Sequence, residues 1–250
     1  MPPRGTVPPV DEAVERDESV ALDAGTMAMP LWLPAAGTGP GILLIQEIFG
    51  VGTYIREVAA DLAGRGYVVG APDLFWRLEP GFAADHDEAG LQESFDLASR
   101  FDRSQGVDDC KAALAHLTGL PEVIGGVGVL GFCLGGTLGY LTATETPAGG
   151  LDALVSFYGS GVPDAVDAMG SVACPALFVF GGSDPYIPRD LVRVVEDAAA
   201  DHDHVTVEVF ETAGHAFHNH AAPMFHDPDT APLAWDVAVG FLQEHLPPST

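Results

Sequence analysis

The chain has 250 residues, 47% of them apolar and 18% charged, which is enough to bury a sizeable core and unlike a disordered sequence. Thirty-six acidic residues against ten basic ones leave a net charge of −26. Such a field repels phosphate backbones and anionic lipid, which argues against nucleic acid or membrane surfaces as partners.

Lys111 is the sole lysine. Acid excess with lysine depletion suits a surface bathed in high salt, where counterions screen self-repulsion. Residues 1–20 mix Pro2, Pro3, Pro8 and Pro9 with a run of acids. They are expected to form a loose acidic lead-in to one domain spanning 21–250. They lack the apolar stretch of a signal peptide, and no segment reaches 18 consecutive apolar residues. Cys110, Cys133 and Cys174 are too few and too scattered for a disulfide framework or a zinc knuckle. The expectation is a cytoplasmic protein.

Beyond the lead-in, apolar runs alternate with helical periodicity. Gly41 to Ile45 is a strand-length apolar run, and Thr53 to Gly64 places Ile55, Val58, Ala59, Leu62 and Ala63 at helical spacing. Tyr67 to Pro72 reads as a strand. Asp85 to Leu120 reads as two helices, one with an apolar face of Leu91, Phe95 and Ala98, the other with Val107, Cys110, Leu114 and Leu117. Strands follow at Val127–Phe132, Leu151–Phe157 and Ala176–Phe180. Val205 to Val209 alternates, as a half-exposed strand near a sheet edge does, and Ala234 to Leu246 reads as a closing amphipathic helix. Continuous apolar strands separated by helices predict one α/β domain, a mostly parallel sheet covered on both faces.

In such sheets reactive groups gather beyond the carboxyl ends of strands. Gly131-Phe132-Cys133-Leu134-Gly135-Gly136 leaves one strand and opens a helix. It has the G-x-nucleophile-x-G form of a nucleophile elbow, with cysteine in place of serine. The helix terminus behind Cys133 favours a thiolate, and the Leu134 amide can donate to an oxyanion. Asp184 follows the next strand but one, and His215 the strand after that. Nucleophile, acid, histidine is the chain order of an α/β-hydrolase triad. The reading is that His215 handles the thiol proton and Asp184 fixes the imidazole. His202, His204, His215, His218, His220 and His226 lie near several aspartates, but their spacing matches no zinc signature, so no metal or cofactor is expected.

These motifs, with Gln46-Glu47-Ile48-Phe49-Gly50, Pro72-Asp73-Leu74-Phe75-Trp76-Arg77 and Ala213-Gly214-His215-Ala216-Phe217, give a chain that resembles the dienelactone hydrolase family of α/β-hydrolases from about residue 25 to 246. The resemblance implies that Glu47 helps activate the nucleophile and that the Ile48 amide is the second oxyanion donor beside Leu134. It also implies that Arg77 binds a substrate carboxylate. A second family arginine is replaced here by Asn219, with His218 and His220 nearby. The expected substrate is a lactone or small activated ester, carboxylate-bearing if it follows the family. A general carboxylesterase or thioesterase, and a non-hydrolytic thiol-based binding or redox module, remain as alternatives.

Overall fold

The computed structural model describes residues 14–248, and from Val14 the chain is already in strand. Four short strands come first: β1 (Val14–Arg16), β2 (Ser19–Leu22), β3 (Gly25–Ala28) and β4 (Leu31–Leu33). β2 and β3 form a small hairpin, and β1 pairs antiparallel with β4. The loose lead-in expected through residue 20 therefore fails from Val14 onward, because backbone pairing holds this segment where side-chain composition gave no hint. The rest of that expectation, residues 1–13, lies outside the described residues.

The chain continues through β5 (Gly39–Ile45), α1 (Thr53–Gly64), β6 (Val68–Gly70), α2 (Glu88–Ala98), α3 (Arg103–Thr118), β7 (Val123–Phe132) and α4 (Leu134–Glu145). It then passes through β8 (Ala153–Phe157), a 3-10 segment (Pro163–Ser171), β9 (Ala176–Gly181), α5 (Arg189–Ala199), β10 (Val205–Phe210) and α6 (Ala231–His245). Acidic side chains start two of the helices. Asp87 accepts from the Gly90 amide at the head of α2, and Asp102 from Ser104 and Gln105 at the head of α3, which satisfies donors a helix leaves open there.

One eight-stranded sheet runs in the order β1-β4-β6-β5-β7-β8-β9-β10. From β6 to β10 every pairing is parallel. The strands of the parallel core, β5, β6, β8 and β9, bury every residue, as a sheet covered on both faces requires. The covering layers are visible around β7. A Cβ at Gly139 of α4 would touch Val129, whereas one at Gly128 would meet Leu246 on the other side. β10 lies at the edge with its burial alternating.

After β5 the chain crosses to β6 on one side, and later to β7 on the other. The crevice beyond the carboxyl ends of β5 and β7 is thus a topological switch point, where open α/β sheets bind ligands. Glu47 and Cys133 follow those two ends directly.

Candidate active site

The turn after β7 is strained in the way its glycines allow. Cys133 has φ of 52° and ψ of −112°, a conformation costing roughly 1–3 kcal/mol for a residue with a side chain. A Cβ on Gly131 would lie 2.1 Å from the Gly135 carbonyl oxygen, and one on Gly135 would lie 2.3 Å from that of Ile45. Only glycine fits at both places. The close approach at Gly135 also brings the elbow against the end of β5, beside Glu47. Cys133 stands at the N-cap of α4, so Leu134 is the first helical residue and its N–H has no carbonyl one turn back.

His215 Nε2 lies 3.2 Å from Cys133 Sγ, and His215 Nδ1 lies 2.7 Å from Asp184 Oδ2. The other carboxylate oxygen of Asp184 accepts from the backbone N–H groups of Tyr186 (2.7 Å) and Ile187 (3.1 Å). The aspartate is 3% exposed and held at both ends. Burial works against charge on the His215 ring, but the adjoining Cys133 sulfur and the Asp184 hydrogen bond outweigh it and push His215 up to about 10. Its proton is therefore favoured when a negative charge sits on the sulfur.

A cavity of about 180 Å³ opens over the sulfur and is lined by Glu47, Ile48, Cys133, Leu134 and His215. The structure thus gathers seven of the eight residues singled out from sequence, five of them on the cavity wall, Asp184 behind His215 and Asn219 behind Glu47. The rest of the wall is mostly apolar. Leu91, Phe95 and Ala98 of α2 face into it with Phe101, Tyr186 and Phe225. The apolar face of α2 read from the sequence forms this wall. What α2 buries are Gly90, Ser94 and Leu97, and Phe95 stays 42% exposed.

Arg77 and Asn219 are corrections. Neither lines the cavity. Arg77 is bound by the buried carboxylate of Asp109 and stacks over Trp76 with 4.1 Å to the ring centroid. The Trp76 indole donates to the same carboxylate at 3.0 Å. A buried carboxylate needs such a cation, so the Pro72–Arg77 segment is tied to α3 through Asp109. Asn219 is fully buried. Its Nδ2 donates to Glu47 Oε1 and its Oδ1 accepts from the Ala221 amide at 3.0 Å. It supports Glu47 from outside the cavity wall. His218 and His220 are also turned elsewhere, toward the Tyr54 hydroxyl and Glu57 respectively.

Two residues on or behind the wall carried no usable sequence signal. Arg103 opens α3 on the cavity wall, and among the described residues it is the one arginine or lysine there. Tyr186 stands edge-on to the His215 ring, centroids 5.0 Å apart.

The profile of the dienelactone hydrolase family matches residues 27–246. The chain is 35% identical over 198 residues to a carboxymethylenebutenolidase from Pseudomonas putida, covering 79% of this chain and 83% of the relative. It is 33% identical to a carboxymethylenebutenolidase from Pseudomonas sp. (strain P51), over 83% and 87% of the two chains. A crystal structure from Klebsiella pneumoniae, provisionally assigned as a dienelactone hydrolase, superposes with a TM-score of 0.79 at 25% identity, over 92% of this chain and 98% of that one. The dienelactone hydrolase of Anabaena variabilis shares the same fold at a TM-score of 0.70 and 21% identity, over 94% and 99% of the chains. The architecture is that of an α/β-hydrolase, and the chain belongs to the dienelactone hydrolase family.

Proposed function

We propose that the protein hydrolyses a lactone or small activated ester, with Cys133 as nucleophile, His215 as its acid–base partner and Asp184 as the group that orients the imidazole. The observation that carries this reading is the continuous contact from Asp184 through His215 to Cys133 Sγ, at 2.7 Å and 3.2 Å, on the wall of a cavity. The relatives named carboxymethylenebutenolidase supply the substrate type.

The sulfur's electron pair attacks the acyl carbon while the carbonyl oxygen becomes an oxyanion, held by the Leu134 and Ile48 amides. When the carbonyl reforms, the carbon–oxygen bond to the leaving group breaks, and that oxygen takes the His215 proton. Water, losing its proton to His215, then attacks the thioester and frees the acid and the thiolate. Glu47, at the end of β5 beside the elbow, is the auxiliary acceptor that keeps the sulfur deprotonated as substrate binds.

With Arg77 held by Asp109, recognition of a substrate carboxylate falls to Arg103. The apolar wall and the burial of Asn219 also favour a second reading, an esterase of neutral aryl esters. Turnover of a lactone, a neutral aryl ester and the corresponding carboxylated aryl ester tests both. Hydrolysis that is abolished by a thiol alkylator and by Cys133→Ala supports the cysteine mechanism, and activity retained in Cys133→Ala contradicts it. Arg103→Met is expected to raise KM about tenfold for the carboxylated ester and little for the neutral one, the range of a lost charge-assisted contact. Equal effects on both esters favour the neutral-ester reading.

A further inference from the structure

Glu47 is 2% exposed, and among the described residues no arginine or lysine nitrogen comes within 4 Å of its carboxylate. A buried carboxylate with only a neutral amide beside it is poorly compensated. On the loop between β6 and α2, His86 Nε2 stands 3.5 Å from Glu47 Oε1, the oxygen that Asn219 already holds. That loop is fastened to the segment after β5. Gly50 bridges Ala83, and the Ala84 amide donates to the Phe49 carbonyl at 3.0 Å. The His86 ring stacks on Phe49, centroids 4.3 Å apart, and its side chain is 8% exposed. Its Nε2 is buried and has no hydrogen-bond partner.

An orphaned ring nitrogen and an uncompensated carboxylate therefore face each other across a short gap. Each alone is costly, and a proton on Nε2 satisfies both. We propose that His86 is a positioning residue for Glu47: as an imidazolium it supplies the countercharge that keeps the carboxylate ionised and fixed beside Cys133. The consequence for turnover rests on the reading of the site given above, and the pairing itself does not.

Asp85 and Asp87 flank His86 on its own loop. Cys133 shares the cavity wall with Glu47. The phenols of Tyr54 on α1 and Tyr158 after β8 are held well above the usual tyrosine range, by burial first and with the charge of Glu47 adding to it. They stay neutral at ordinary pH and supply no countercharge.

Two measurements on the full chain test the proposal. In proton NMR of the histidines, the His86 signal is assigned by its loss in His86→Gln. Its titration midpoint is expected to fall by about one pH unit in Glu47→Gln, the size of a removed neighbouring charge. An unchanged midpoint overturns the ion pair. Separately, iodoacetamide labelling of Cys133 is followed by peptide mass against pH, with thermal unfolding checking that each variant is folded. Removing a positive charge beside two coupled acids raises their titration whichever holds the proton. The labelling midpoint in His86→Gln is thus expected to rise by about one unit, with Glu47 and His215 intact. Identical labelling profiles overturn the link to the thiol. Both midpoints shifting in the variants while the wild type hydrolyses no ester leaves His86 in place and removes the proposed function instead.

Discussion

Both oxygens of Asp184 are occupied, one by His215 and the other by two backbone amides of its own turn. Order and spacing in the sequence single out Asp184 as the candidate acid, because in this fold a triad acid follows a strand and precedes the histidine. Arg77 shows the limit of that logic. Its motif is intact, yet Asp109, thirty-two residues away, takes its charge, and no local pattern reports such a partner. His218 is a second case, a histidine in an apolar stack. It lies against Phe132 and Trp235 with centroids 5.5 Å and 5.0 Å away, and the Tyr54 hydroxyl meets its Nδ1 at 2.7 Å. Burial, with repulsion from His220 and His226, pushes it down to about 3. The unfolded chain takes up this proton near the ordinary value of about 6.5. Protons therefore bind the unfolded state first, and stability falls as pH drops from about 6.5 to about 3, by ~1.4 kcal/mol per pH unit from this group. Chemical denaturation across that range is expected to show the slope in wild type and a shallower one in His218→Phe; parallel slopes contradict it.

At the level of elements, glycine patterning made the elbow legible, because tight turns restrict residue type as few other features do. The structure adds why the position is unforgiving: the backbone of β5 occupies the space a Gly135 side chain would need. Gly135→Ala is expected to destabilise the fold by about 2 kcal/mol or more and to slow Cys133 labelling, whereas Gly149→Ala, with open space around it but φ of 82°, costs only its backbone strain. Equal melting temperatures for Gly135→Ala and wild type contradict the packing argument. Helix α2 was legible as a helix but not in its orientation. Its periodic face of Leu91, Phe95 and Ala98 has the spacing of a core stripe, and only the tertiary arrangement turns it toward a cavity. α5 was not anticipated at all, although Val192, Val195 and Ala199 are its buried positions at helical spacing. The pairing of β1 with β4 is long-range and leaves no period to detect.

For the whole molecule, sheet order converts four distant loops into one site: the switch point between β5 and β7 sets Glu47 beside Cys133, and the loops after β9 and β10 bring Asp184 and His215 to them. The charge of −26 belongs to the same molecule, and among the described residues five arginines and the sole lysine are held in ion pairs with carboxylates. Self-repulsion among the remaining acids should relax when salt screens it. The unfolding temperature is expected to rise between 0.1 M and roughly 2 M potassium chloride, where the screening length shrinks from ~10 Å to a few ångströms; a flat or falling response contradicts the electrostatic account.

The proposed mechanism requires the sulfur of Cys133 to become covalently acylated. Mixing the protein with a slowly hydrolysed aryl ester, quenching in acid and mapping the adduct by peptide mass tests this directly. One acyl group is expected on the peptide carrying Cys133, formed before product accumulates and absent from Cys133→Ala. An acyl group on a serine, or steady hydrolysis by Cys133→Ala with no adduct, would contradict it.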